Sequence, residues 1–279
     1  ITGDTGTGKA QPDDTMIPTP TGRRRLDTLQ VGDYVFDEQG NPTRVTGIYP
    51  QEGYPLYYQV TFHDGRTANC NGEHLWKVTD ENGMAQVFTT EEILEKMEEG
   101  KEFTIPATDA VSYTGSISTR KLSHIIQGIR ENTISYIPDD VLYADIPSRI
   151  AFVYKLCGQV TDGETGIKNA LYFYHRSKII VEQFRDLLWG LGYIPECTTL
   201  NSLPGYMLII NTANRVLKIT EIKRMHNCRQ RCIKVENPSH LYLTENYIVT
   251  HNTYCGTAST AFYQAKTAII VPLAKLLDQ

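Results

Sequence analysis

Residues 3–9 read Gly3-Asp4-Thr5-Gly6-Thr7-Gly8-Lys9, a glycine-rich loop that stops one residue short. A nucleotide-binding P-loop has the form Gly-x-x-x-x-Gly-Lys followed by Ser or Thr, because the final hydroxyl holds magnesium. Here Lys9 is followed by Ala10-Gln11-Pro12-Asp13, and the missing threonine is Thr253, directly after His251-Asn252. Joining Lys9 to Thr253 gives an unbroken loop that runs on as helix-like text to Lys266. The chain therefore reads as two flanks, 1–9 and 253–279, around an inserted element, 10–252. Gly3, Gly8, Lys9 and Thr253 are expected to bind ATP and magnesium only after the flanks are joined. The interruption argues against an intact P-loop ATPase in the unjoined chain.

The inserted element has two textures. Residues 10–105 carry short stretches rich in Val, Tyr, Thr and Ile, with strands expected over Val31–Phe36, Thr43–Tyr49 and Leu56–Phe62 between Gly, Asn and Pro punctuation. Thr89–Gly100 reads as a short helix with a threonine at its start and a glycine at its end. Residues 226–252 return to strand-like text. Between them, 106–225 changes character, with helical spacing over Ser148–Val160 and Lys178–Leu191 and strands over Ala170–Tyr174 and Tyr206–Asn211. This shift marks 106–225 as a separable unit, and replacing 112–220 by a short linker is expected to leave the rest working. The net charge of −5 gives no general drive towards nucleic acid, and the sequence has no run of 18 apolar residues, so no membrane span is expected. Cys228 and Cys232 stand four apart without a second pair at ligand spacing, so zinc is not expected.

Three blocks of the inserted element resemble an intein, a segment that excises itself and joins its flanks. The first is Ala10–Ile17 followed by Leu26-Asp27-Thr28-Leu29-Gln30-Val31-Gly32-Asp33. The second is Gly65–Trp76, with Asn71, His74 and Trp76. The third is Arg231–Leu243, closed by Ile248-Val249-Thr250-His251-Asn252 ahead of Thr253. The resemblance implies a mainly β protein with the Hedgehog/intein (HINT) horseshoe fold, whose curvature brings residues 10 and 252 together. It also implies that no cofactor and no partner are needed for splicing. A cytoplasmic setting in a phage or microbial host follows from a chemistry that uses a free thiolate.

Ala10 departs from the family pattern, in which the first residue is Cys or Ser. One reading is a class 3 intein, which lacks that nucleophile and carries a Trp, a Cys and a Thr instead; Trp76, Cys232 and Thr250 match those positions. The other is a class 1 intein trapped by an alanine at position 10, in which Cys232 would be an inert strand cysteine. On the class 3 reading Cys232 attacks the Lys9–Ala10 bond, and His74 protonates the leaving Ala10 nitrogen. Asn71 hydrogen-bonds the Lys9 carbonyl, and Trp76 shapes the wall around Cys232. The acyl group then passes to Thr253, and Asn252 cyclises with help from His251. Thr250 is either a hydrogen-bonding residue or a strand-forming choice, while His63 and His240 read as ordinary histidines.

Within 106–225, Ile137–Ala144 and Leu156-Cys157-Gly158-Gln159-Val160-Thr161-Asp162-Gly163 resemble one degenerate repeat of a LAGLIDADG homing endonuclease. The resemblance implies an inserted α+β subdomain with DNA as a partner. Asp162 matches the family's metal-binding aspartate and otherwise reads as a helix-terminal turn residue. Val160 stands where a second acidic residue is usual, and no second copy is found. Two such helices are needed to supply acidic ligands for phosphodiester cleavage, so magnesium enters only if the insertion is active. A DNA-binding homing endonuclease is the alternative function. The flank 268–279 resembles a strand and following segment of superfamily two helicases, which makes a helicase-like ATPase the expected host.

Overall fold

Period-two burial builds most of the protein. A computed structural model describes residues 9–159, 170–199, 204–211 and 215–251. In Leu56–Phe62 the side chains of Tyr58, Val60 and Phe62 are buried, and in Val216–Asn227 those of Leu217, Ile219 and Ile222 are. These two strands pair antiparallel within a six-stranded sheet of order Thr67–Asn71, Leu56–Phe62, Val216–Asn227, Phe103–Pro106, Leu75–Asp80 and Ala85–Thr89. A four-stranded sheet runs Gln11–Pro12, Gln230–Val235, Pro42–Pro50 and Tyr34–Phe36. Two hairpins complete this region, Met16–Thr19 with Gly22–Arg25 and Leu241–Thr244 with Ile248–His251. The protein is mostly β, as the sequence implies.

Leu56–Phe62 has the expected bounds, and Pro42–Pro50 is one residue longer at each end than expected. The first expected strand is shorter, Tyr34–Phe36, because Gly32 takes a φ of +101° in the preceding turn and leaves Val31 exposed. The expected helix is Thr90–Glu98. Its Thr89 side chain accepts from the Glu92 N–H while the Glu92 carboxylate accepts from the Thr89 N–H, a reciprocal cap legible as Thr-x-x-Glu.

The middle of the chain is α+β. Helices Thr119–Arg130, Ile146–Leu156 and Lys178–Gly190 pack on an antiparallel sheet of order Gly158–Gln159, Ala170–His175, Tyr206–Asn211 and Ile194–Thr199. Phe152, Val153, Phe173, Phe184, Leu208 and Ile210 form its buried core. Two details differ from the sequence reading. The helix expected over Ser148–Val160 ends at Leu156; Cys157 is extended, and Gly158–Gln159 is a strand against Tyr172 and Leu171. Gly158 lies flat on the Tyr172 ring, leaving no room for a Cβ. The boundary at 225/226 also moves, because Val216–Asn227 is one continuous strand of the six-stranded sheet. Replacing 112–220 would cut through that strand. Val160 and Asp162 lie outside the described residues. No described helix is long and apolar enough to cross a membrane.

Candidate active site

The register of one strand pair sets the site. Gln11 pairs with Arg231 and Pro12 with Gln230, and one further step along the same antiparallel register sets Ala10 opposite Cys232. Side chains directly opposed in this way have Cβ atoms about 4.5–5.5 Å apart. Ala10 and Cys232 are both buried, and the Cys232 thiol lies 3.5 Å from the Ile233 carbonyl oxygen.

The opposite side of that bond is lined by the turn between Thr67–Asn71 and Leu75–Asp80. The Asn71 backbone N–H donates to the Ala10 carbonyl at 2.9 Å, and His74 Nδ1 lies 3.2 Å from the Lys9 carbonyl oxygen. A carbonyl only accepts, so Nδ1 carries the proton and Nε2 is the acceptor. Nε2 takes its hydrogen bond from the Thr250 hydroxyl, a residue 176 positions away in sequence. His74 is fully buried, and burial holds its pKa down to about 3, so the ring is neutral. Thr250 is therefore a hydrogen-bonding residue as well as a strand residue.

Asn71 and Trp76 differ from their expected places. The Lys9 carbonyl is bonded by His74; Asn71 meets the junction through its backbone, and its buried Oδ1 has no partner among the described residues. Its backbone N–H is directed at Ala10, which leaves the imidazole as the donor that spans the remaining gap. Trp76 packs against His74, with ring centroids 5.3 Å apart, and against Phe62. Its indole N–H donates to Thr90 Oγ1 at 3.0 Å. It thus walls His74.

Thr90 was not singled out by the sequence and is the hub beneath the imidazole. Its N–H and hydroxyl both donate to the His74 carbonyl, at 2.9 and 3.3 Å, and the hydroxyl oxygen also lies 3.2 Å from Cys70 Sγ. Thr90→Val would leave the buried Trp76 indole N–H without an acceptor. That loss is expected to cost about 1–3 kcal/mol of stability in urea unfolding, while Thr90→Ser stays near wild type. Equal stabilities for the two variants would rule out the hub.

Gln11 is a second unanticipated residue. Its Oε1 accepts from Tyr242 Oη at 2.6 Å, and its Nε2 donates to Thr244 Oγ1 at 2.6 Å and to the Asn69 carbonyl at 3.2 Å. This buried, satisfied network fixes the segment just downstream of the junction. His251 ends the strand Ile248–His251, with its pKa lowered to about 4 by burial first and the Lys9 charge second. The His240 ring lies 6.4 Å from it, and His240 Nδ1 is buried with no hydrogen-bond partner among the described residues. Leu241 pairs with His251, which sets His240 beside the end of that strand. Gly3, Gly8, Asn252 and Thr253 lie outside the described residues. Among the described residues no group of three or more His, Cys, Asp or Glu side chains is arranged to hold a metal ion.

No protein-family model matches the chain. Solved structures that it is similar to include inteins. The Msm DnaB1 intein splicing domain bound with zinc is 18% identical, with 87% of this chain and 100% of that one covered at a TM-score of 0.38. The MchDnaB-1 intein is 17% identical, with 87% and 100% covered at 0.38. A DnaB intein from a Synechocystis species is 11% identical, with 88% and 98% covered at 0.36. A curated relative, the replicative DNA helicase DnaB of Mycobacterium intracellulare, is 23% identical over an alignment that covers 90% of this chain. The chain covers 60% of that relative's length.

Proposed function

We propose that the chain is a self-splicing intein precursor with the HINT fold, which excises residues 10–252 and ligates Lys9 to Thr253. The observation that carries this reading is the meeting of distant segments at one bond. Cys232 is in register with Ala10, while His74 bonds the Lys9 carbonyl and is itself bonded by Thr250. A peptide carbonyl is a poor electrophile, and a held thiol with a donor on the carbonyl oxygen replaces two encounters by one positioned array.

The Cys232 sulfur attacks the Lys9 carbonyl carbon, the C–N bond to Ala10 breaks, and the departing nitrogen takes a proton. The upstream flank is then a thioester on Cys232. The Thr253 hydroxyl takes the acyl group and the thiol is released. Asn252 closes on its own carbonyl, freeing the downstream flank, and the ester rearranges to an amide. The class 3 pattern of Trp76, Cys232 and Thr250 supports this over a trapped class 1 intein, and two of its members, Trp76 and Thr250, meet the His74 ring. The flanks are read as parts of a helicase-like ATPase, which the DnaB relative supports, and the precursor is read as cytoplasmic. The insertion is read as a decayed endonuclease-like subdomain with DNA as its ligand class. Its order of helix, two strands, helix, two strands over 146–211 supports that part of the reading.

Mass spectrometry of the incubated chain is the test. The expected products are excised 10–252 and a ligated peptide of residues 1–9 and 253–279; their absence under all conditions overturns the proposal. Asn252→Ala is expected to block release of the downstream flank and to accumulate a branched, base-labile species. Complete ligation in that variant would remove asparagine cyclisation from the scheme.

A further inference from the structure

The inserted segment shares a core with the hairpin that carries Thr250 and His251. Val111, Tyr113 and Trp189 from the middle of the chain are buried together with Phe36, Leu241, Leu243, Tyr247 and Val249. Without them the outer face of that hairpin would be an apolar surface in water.

Tyr247 is the point of contact. It and Asn246 have φ near +57°, left-handed backbone that a bulky side chain adopts only when its surroundings enforce it. Asn246 is held from the six-stranded sheet: its Nδ2 donates to the Thr67 carbonyl at 2.9 Å, and its own carbonyl accepts from Arg66 Nη1 at 3.3 Å. Tyr247 is held from the insertion. Its hydroxyl meets Tyr113 Oη at 3.0 Å, and the bare Cα of Gly190 faces its ring so closely that a Cβ there would stand 3.0 Å from Cζ.

The insertion's side of this contact is itself fixed. The fully buried Arg149 guanidinium donates to the Ala144, Gly190 and Val111 carbonyls and lies 5.0 Å over the Tyr113 ring. The Val111 N–H donates to the Gly190 carbonyl at 2.9 Å. Arg66, paired with Asp64, lies 5.3 Å over Trp189, and Arg23 pairs with Asp186. One guanidinium therefore touches both Trp189 and the Asn246 carbonyl.

We infer that the insertion is a working part of the splicing centre: Tyr113 and Gly190 fix Tyr247, and Tyr247 fixes the strand that presents Thr250 to His74. Two residues separate Tyr247 from Thr250, along a strand paired residue by residue with Leu241–Thr244. A shift of the turn is transmitted to Thr250 Oγ1 with little loss, and ångström-scale misplacement in an active site costs on the order of 100-fold in rate. Tyr113, Gly190 and Tyr247 are positioning residues and touch no reacting atom. The inference rests on the splicing reading and departs from the expectation that the insertion is dispensable.

The test uses the full chain. Wild type is assayed first; if it does not splice, the splicing reading itself fails. Given wild-type splicing, Tyr113→Phe and Tyr247→Phe are each expected to slow it about fivefold, and the double variant to be no slower than either single, as coupled partners require. Gly190→Ala, which pushes a methyl into the Tyr247 ring, is expected to slow splicing at least about tenfold. In each variant the His74 ring-nitrogen resonances should shift while circular dichroism stays at the wild-type spectrum. The two tyrosine variants decide the matter if Gly190→Ala does not fold. Wild-type rates with unmoved His74 resonances, or strictly additive tyrosine effects, overturn the inference.

Discussion

Cys232→Ala is expected to stop both cleavage at Lys9–Ala10 and ligation. Ala10 offers only a methyl group, so position 10 supplies no nucleophile, and Cys232 is the buried thiol next along the strand that pairs with Gln11 and Pro12. Loss of a covalent nucleophile costs on the order of 10⁴-fold or more in acyl-transfer enzymes. The neighbouring donors cannot offset that loss, because they stabilise an oxyanion that no longer forms. Electrophoresis and mass spectrometry should show only full-length chain in place of ligated product. The trapped class 1 reading expects the reverse: Ala10→Cys would restore splicing, and Cys232→Ala in that background would keep it. Splicing by Cys232→Ala with Ala10 intact would end the class 3 proposal.

Much of this site was legible because its residues sit in short blocks at fixed spacing. His74, Trp76, Cys232, Thr250 and His251 were all named from sequence, and the threonine and glycine at the ends of 89–100 marked a helix that the structure has at Thr90–Glu98. What the sequence did not carry was direction. Asn71 and His74 both fit the role of donor to the Lys9 carbonyl, and only the turn geometry decides that Asn71 arrives backbone first. Thr90 and Gln11 escaped notice because buried polar residues leave no periodic trace; their importance lies in partners far away in sequence. The boundary of the insertion was missed for a related reason. Val216–Asn227 straddles the expected boundary and carries exposed Glu, Lys and Arg on its outer face, so its membership of the central sheet shows only in its pairing. The packing of Tyr113 and Trp189 against Tyr247 is likewise a tertiary fact with no local signal.

His74→Ala is expected to lower the rate of the first step by roughly 10²–10⁴-fold, the range for a positioned proton-transfer group. The ring is neutral at rest, donating from Nδ1 to the Lys9 oxygen and accepting at Nε2 from Thr250. As sulfur adds to the carbonyl, negative charge grows on an oxygen already bonded to Nδ1–H, which stabilises the developing oxyanion and raises the proton affinity of the ring. Thr250→Val removes the Nε2 partner and should lower the same step by a smaller factor, because the Nδ1 bond remains. Stability carries a second signature of the buried imidazoles. Burial holds His74 to about 3 and His251 to about 4, against an ordinary value of 6.5. Between these values the unfolded chain takes up protons that the folded chain refuses. The contribution of the two rings is therefore complete above pH 6.5 and is lost as pH falls towards 4. Glu245 opposes this: its carboxyl, pushed up by burial from 4.5 to about 7, contributes stability that is present below 4.5 and lost as pH rises through 7. Burial raises the Asp37 and Asp186 carboxyls as well, and they act in the same direction as Glu245. The His74 contribution is therefore read as a difference: His74→Ala should lose less stability than wild type as pH falls from 6.5, because the group with the deepest depression is gone. Melting temperatures of both chains between pH 7 and pH 4 give the comparison, and parallel pH profiles would mean that His74 is not held neutral in the folded protein.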